Sequence, residues 1–199
     1  IEKLMRVFED SRVSFAAFHQ EPVASASFIG NICRAADMFW IESRIHVNGG
    51  NHAHNLQGSA VALRKIITKN VRYLDEINSD VEYLYVKAKT YGSFRYVHEA
   101  KVLYRAPDTL HDFWSIGSRA IFYRRSTAAK HLKINVDEIY AIPMRYKLYG
   151  MTKGFIRSPL YTSAALLLNV FVRLFPRRDH SVQAKQWEMV QSARKAITL

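Results

Sequence analysis

The reading turns on one stretch: His54-Asn55-Leu56-Gln57-Gly58-Ser59-Ala60-Val61-Ala62-Leu63-Arg64-Lys65, then Asn78-Ser79-Asp80-Val81-Glu82-Tyr83-Leu84, then Gly92-Ser93-Phe94-Arg95-Tyr96-Val97, and finally Glu99 to Phe113. Its order is a polar glycine loop, a basic pair, an acidic helix start, and a strand leading into a second helix. Leu56 to Leu63 reads as a short strand bent at Gly58. Arg64 to Tyr73 reads as a helix or a turn. Ser79 or Asp80 is a good helix cap, and Val81 to Tyr91 carries helical apolar spacing. Gly92 suits the position that ends such a helix. Residues 95–97 and 100–105 read as strands, Pro107-Asp108 as a break, and Thr109 as the cap of a helix from Leu110 to about Arg125.

Upstream, Ile1, Leu4, Met5 and Phe8 fall on one helical face, which predicts a helix over 1–10. The chain thus reads as starting inside an element, as a piece of a longer protein would. Val13 to Phe18 is β-rich and short, and Glu21-Pro22 breaks it. Residues 24–46 show a helix with one apolar stripe, closed by the loop Asn48-Gly49-Gly50-Asn51.

Downstream, residues 126–145 are mixed, with Val136 to Tyr140 readable as a helical turn or a strand. Ser158-Pro159 opens the apolar run Leu160 to Phe175, with Pro159 at the first helical position and Pro176 as its stop. A bilayer span needs roughly 20 mostly apolar residues, and this run contains Asn169 and Arg173. It reads as a core helix or as one lying in a membrane interface, with Arg173, Arg177 and Arg178 available to anionic headgroups. The last segment, 181–197, reads as a polar amphipathic helix around Trp187.

Composition sets the outer bounds. Of 199 residues, 49% are apolar and 23% charged, with 11 Tyr and 11 Phe, which gives enough apolar mass for a real core. The formal net charge is +12, from 29 Lys and Arg against 17 Asp and Glu. Such an excess favours an anionic partner without choosing among nucleic acid, membrane surface and phosphorylated substrate. The single cysteine, Cys33, excludes an internal disulfide and reads as a small buried residue. No P-loop, G-x-S-x-G, H-E-x-x-H, zinc-finger or RNP-like pattern is present.

Asp80 and Glu82 are the candidate catalytic carboxylates. A group transferred to a hydroxyl requires removal of that hydroxyl's proton, which a carboxylate in hydrogen-bond reach can accept. A helix cap without chemistry is the commoner use of Asp at such a position. The loop with His54, Gln57 and Gly58 offers directional donors and acceptors suited to a sugar. Its bland alternative is a polar turn. His52 and His54 flank one residue, yet no third ligand lies at a recognised spacing, so no metal is assigned to them. Arg119 is the candidate contact for a diphosphate, since a guanidinium clamps one bidentately, and Arg64 is a further candidate substrate-binding residue. For Arg124 and Arg125 the solvated basic face is the preferred reading. Of the aromatics at helical spacing, Trp114 has the shape to stack on a sugar, but core packing is the commoner use.

Taken in order, these segments resemble the acceptor-binding half of the inverting family-2 glycosyltransferases, over residues 1–125. Ile1 to Asp10 looks like the helix after the family's metal-binding D-x-D strand. Leu56-Gln57-Gly58-Ser59-Ala60 with Leu63-Arg64-Lys65 resembles the acceptor-side glycine–arginine segment. Ser79-Asp80 resembles the acidic pair, with Asp80 at the general-base place. Phe94 to Phe113 resembles the strand pair and helix before the Q-x-x-R-W motif. At that motif the chain reads Ile116-Gly117-Ser118-Arg119-Ala120, keeping only the arginine, which fits a single-addition transferase better than a processive synthase.

The resemblance implies an α/β fold: the acceptor-side half of a GT-A-like mixed sheet flanked by helices, followed by a C-terminal helical, membrane-interfacial segment. It divides the chain into 1–125, the acceptor-binding half, and 126–199, the helical region. It implies an inverting hexosyltransferase-like enzyme working on a nucleotide-sugar donor and a glycan or lipid-linked acceptor at the cytoplasmic face of a membrane, in polysaccharide or glycolipid synthesis. Mg2+ or Mn2+ would be held in the full-length enzyme by ligands outside this chain. The rival reading is a non-enzymatic basic module binding nucleic acid or anionic membrane.

Overall fold

A computed structural model describes residues 2–57, 60–72, 80–123 and 132–176, with only the backbone described for residues 80, 119–123, 136 and 137. It is a mixed α/β chain. In order, its main elements are α1 (Glu2–Arg6), β1 (Val13–Pro22), α2 (Phe28–Arg44), β2 (Val61–Leu63), α3 (Lys65–Asn70), α4 (Asp80–Lys89), β3 (Ser93–Tyr104), α5 (Leu110–Tyr123), α6 (Val136–Ile139), α7 (Met144–Arg157) and α8 (Pro159–Leu174).

The sheet has three strands in the order β2-β1-β3. β2 runs antiparallel to β1, with Phe15 opposite Leu63 and Ala17 opposite Val61. β3 begins beside the start of β1, where Ser93 N–H donates to the Arg12 carbonyl at 2.7 Å, so those two strands run the same way. The central position of β1 explains its composition. Residues 13–17 are buried on both faces, which leaves no room for a polar alternation. Phe15 and Ala17 join Leu84, Tyr85, Ala88, Phe94 and Tyr96 in one core cluster. Ala16 turns to the other face, against Leu4, Val97 and Ala100.

Two of the expected boundaries move. The expected strand 13–18 continues to Pro22. Proline lacks a donor but keeps its carbonyl, and Pro22 O accepts from Arg34 Nε at 3.0 Å. The expected strands 95–97 and 100–105 are one strand, because β3 lies at the sheet edge and leaves His98 and Glu99 exposed without interrupting the ladder. The expected loop 48–51 is a 3-10 turn at Val47–Gly50, with Asn48 and Gly49 at positive φ. Thr109 caps α5 as expected, its Oγ1 accepting from Asp112 N–H at 3.1 Å.

The chain forms two compact units, each drawn from three segments. The first comprises 1–20, 44–102 and 125–146, and the second comprises 21–43, 103–124 and 147–199. This is a different kind of division from the expected 1–125 and 126–199. The second unit is helical at its centre. Ile32 and Ala36 of α2 pack with Ala165 of α8, with Phe113, Tyr161 and Leu168 around them. Gly150 lets α7 close on α2, since a Cβ there would lie 2.3 Å from Ser43 Oγ and 2.7 Å from the Phe39 carbonyl. No described helix is long and apolar enough to cross a membrane. The expected polar helix 181–197 lies outside the described residues.

Candidate functional site

The loop between α2 and β2 builds the polar part of the first unit. Its first turn needs left-handed backbone: Gly49 and Gly50 have φ of 62° and 85°. Gly50 has a second reason to lack a side chain, because a Cβ there would lie 2.4 Å from Tyr96 Cδ1. Asn55 then locks the turn, its amide nitrogen donating to Gly50 O at 2.8 Å and to Arg44 O at 3.3 Å. Asn51 ties the loop to β3 by accepting the Tyr96 N–H at 2.8 Å. These bonds use the side-chain amides of buried Asn55 and half-buried Asn51 in place of a regular ladder, which holds the loop in one shape.

Around this frame sits a cluster of histidines and tyrosines. His19 Nδ1 and the Tyr96 hydroxyl are 2.5 Å apart, and His19 stacks on His98 with ring centres at 5.6 Å. Burial pushes the Tyr96 hydroxyl up to about 12, so it stays neutral at any physiological pH. His52 and His54 stack at 5.3 Å, and His54 Nε2 lies 2.9 Å from the Tyr140 carbonyl. Burial lowers the His52 pKa from its ordinary value, the Arg44 charge adding to the effect, while a backbone hydrogen bond at Ala141 opposes it. Gln57 bridges to charge: with its amide turned so that oxygen faces donors and nitrogen faces an acceptor, the oxygen accepts from Arg44 Nη1 at 2.5 Å and Nη2 at 2.7 Å, and the nitrogen donates to Gln20 Oε1.

The sequence-derived candidates therefore divide. His54 and Gln57 belong to this polar cluster. The Arg64 guanidinium donates to the carbonyls of Val13, Phe8 (2.6 Å) and Asp10 (2.8 Å) and lies over the Phe8 ring. What it visibly does is hold the entrance of β1. Asp80 is the first described residue of α4, and Glu82 follows two positions later, half-buried on the same helix. Arg119 is a residue of α5. The side chains of Asp80 and Arg119, and all of Gly58, lie outside the described residues.

Sequence reasoning passed over Gln20, Arg44, Tyr96 and Tyr140, which complete the polar cluster. Their only signal was position: His19-Gln20 ends an otherwise apolar strand, and Arg44 ends an amphipathic helix. Among the described residues no group of three or more His, Cys, Asp or Glu side chains is arranged to hold a metal. Cys33 is buried in α2, and burial, with Asp37, Asp108 and Asp112 adding to it, pushes its thiol up to about 12. That makes it a packing residue rather than a nucleophile.

Compared with protein-family models, with curated proteins and with solved structures, the chain matches none.

Proposed function

We propose that this chain is the acceptor-binding half of an inverting glycosyltransferase with a GT-A-like sheet. The supporting observation is the order in which the motif segments fall on the sheet. The polar loop leads into antiparallel β2, Asp80 is the first described residue of α4, and β3 returns parallel to β1 and feeds α5, which carries Arg119.

In this reading the acceptor hydroxyl attacks the anomeric carbon of a nucleotide-linked sugar directly. The new C–O bond forms as the bond to the diphosphate oxygen breaks, which inverts the configuration. Asp80 takes the hydroxyl proton, and the nucleoside diphosphate leaves with the bonding pair, its charge offset by Arg119. His54 and Gln57 supply directional hydrogen bonds to the sugar or acceptor from a loop held rigid by Asn51 and Asn55. The divalent cation belongs to the nucleotide-binding half.

The test is Asp80→Asn in the full-length protein, with sugar transfer and donor affinity measured separately. A general base contributes about 10²–10⁴ to rate, so kcat should fall by at least about a hundredfold at unchanged donor Kd. Activity within a few-fold of wild type removes Asp80 from the base role.

A further inference from the structure

The second unit contains two helices turned inside out. α8 buries Thr162, Ala165 and Val172, while Leu160, Leu167, Val170, Phe171 and Leu174 are exposed. At 3.6 residues per turn the exposed set forms one stripe and the buried set lies on the opposite side. α7 repeats the arrangement: Gly150 packs against α2 and Gly154 against Thr162, and Leu148, Tyr149, Phe155 and Ile156 face outward. Ile156 and Leu167 are 75% and 71% exposed, where large aliphatic side chains ordinarily seek cover.

The charge on these helices is of one sign. α7 carries Arg145, Lys147, Lys153 and Arg157, α8 carries Arg173, and neither contains Asp or Glu. Arg157 is engaged inward with Glu42 at 2.8 Å, and Arg173 lies over the Trp40 ring at 5.9 Å. Lys147 and Lys153 remain at the border between the exposed and buried faces of α7, Lys153 over the Tyr149 ring at 5.5 Å. A second copy of the same surface would bring these cations together with no counter-charge. An anionic bilayer would supply both the apolar depth and the negative headgroups. At about 1.5 Å per residue, α8 spans about 24 Å, which suits lying along a surface and not crossing it.

We propose that α7 and α8 seat this unit on an anionic membrane surface, with Leu148, Ile156, Leu160, Leu167 and Leu174 entering the acyl boundary and Lys147 and Lys153 meeting lipid phosphates. The inference is independent of glycosyl transfer, and failure of either leaves the other standing. Flotation of the full chain with phosphatidylcholine vesicles, with and without roughly one-quarter phosphatidylglycerol, tests it. Wild type should float with the anionic vesicles, less so at high salt, and at least about tenfold less with the neutral ones. The triple variant Leu160→Ser/Leu167→Ser/Leu174→Ser should stop floating while keeping its far-UV circular dichroism, since all three side chains are exposed. Lys147→Glu/Lys153→Glu should weaken binding to anionic vesicles alone. Wild type that stays unbound at low salt, or floats as well as the triple variant, overturns the proposal. So does a dimer that the triple variant dissociates in the absence of vesicle binding.

Discussion

β1 and the α7–α8 pair use similar residues to opposite ends. In β1 the apolar side chains are sealed: Phe15 is fully buried, edge-on to Tyr85 at 5.7 Å and tilted on Phe94 at 5.0 Å. In α7 and α8 the small residues go inward and the large apolar ones outward. Hydropathy alone therefore does not locate a core. What separates the two regions is whether partners surround the side chain, and that decides whether an apolar residue serves stability or contact with something outside the chain.

The sharpest way to break this comparison is to truncate one residue from each region. Phe15→Ala should cost about 3–5 kcal/mol, enough to unfold a marginal domain. Leu167→Ala should change stability by no more than about 0.5 kcal/mol, since it leaves no cavity. Urea denaturation of the two variants measures both. Equal losses would mean that Leu167 is covered in solution and that the outward-facing stripe is not a free surface.

A finer contrast lies within one turn. Gly49 and Gly50 both occupy left-handed backbone, but only Gly50 faces a neighbour. Gly49→Ala carries the conformational cost alone, about 1–2 kcal/mol. Gly50→Ala adds the displacement of the Tyr96 ring and should cost about 2–4 kcal/mol in the same denaturation experiment. If the two losses were the same, the ring would be moving aside freely, and the polar loop would be less rigid than the hydrogen bonds of Asn51 and Asn55 imply.

Helix starts were the most legible features of the sequence. Thr109 and Pro159 announce elements by chemistry confined to a single turn, and each element begins there. α7 was not assigned from the sequence, and its Gly150 and Gly154 are points of close helix contact. The same limit applied to the site. His54 and Gln57 could be picked from a polar loop, but their neighbours Arg44, Gln20, Tyr96 and Tyr140 come from elements distant in sequence. Arg64 shows how much of a residue's structural use spacing leaves out. A basic residue after a glycine loop suggests substrate charge, yet its visible contacts are backbone carbonyls at the start of β1. A long cation satisfies main-chain acceptors as readily as phosphates, and sequence spacing does not distinguish the two.

The buried polar cluster gives the first unit a dependence on pH. His52 is neutral in the folded protein because burial lowers its pKa below the ordinary 6.5. Once unfolded, the same ring regains that ordinary value. Between the two values the unfolded chain binds the extra proton, so stability holds above about 6.5 and is lost as pH falls toward the folded pKa. Lowering the pH from 7.5 to about 5 should therefore reduce the melting temperature of the wild type, and His52→Gln should flatten that slope while lowering stability at neutral pH through the lost His54 N–H acceptor. A wild-type profile parallel to that of His52→Gln would show that proton uptake by His52 plays no part in the acid sensitivity of the fold.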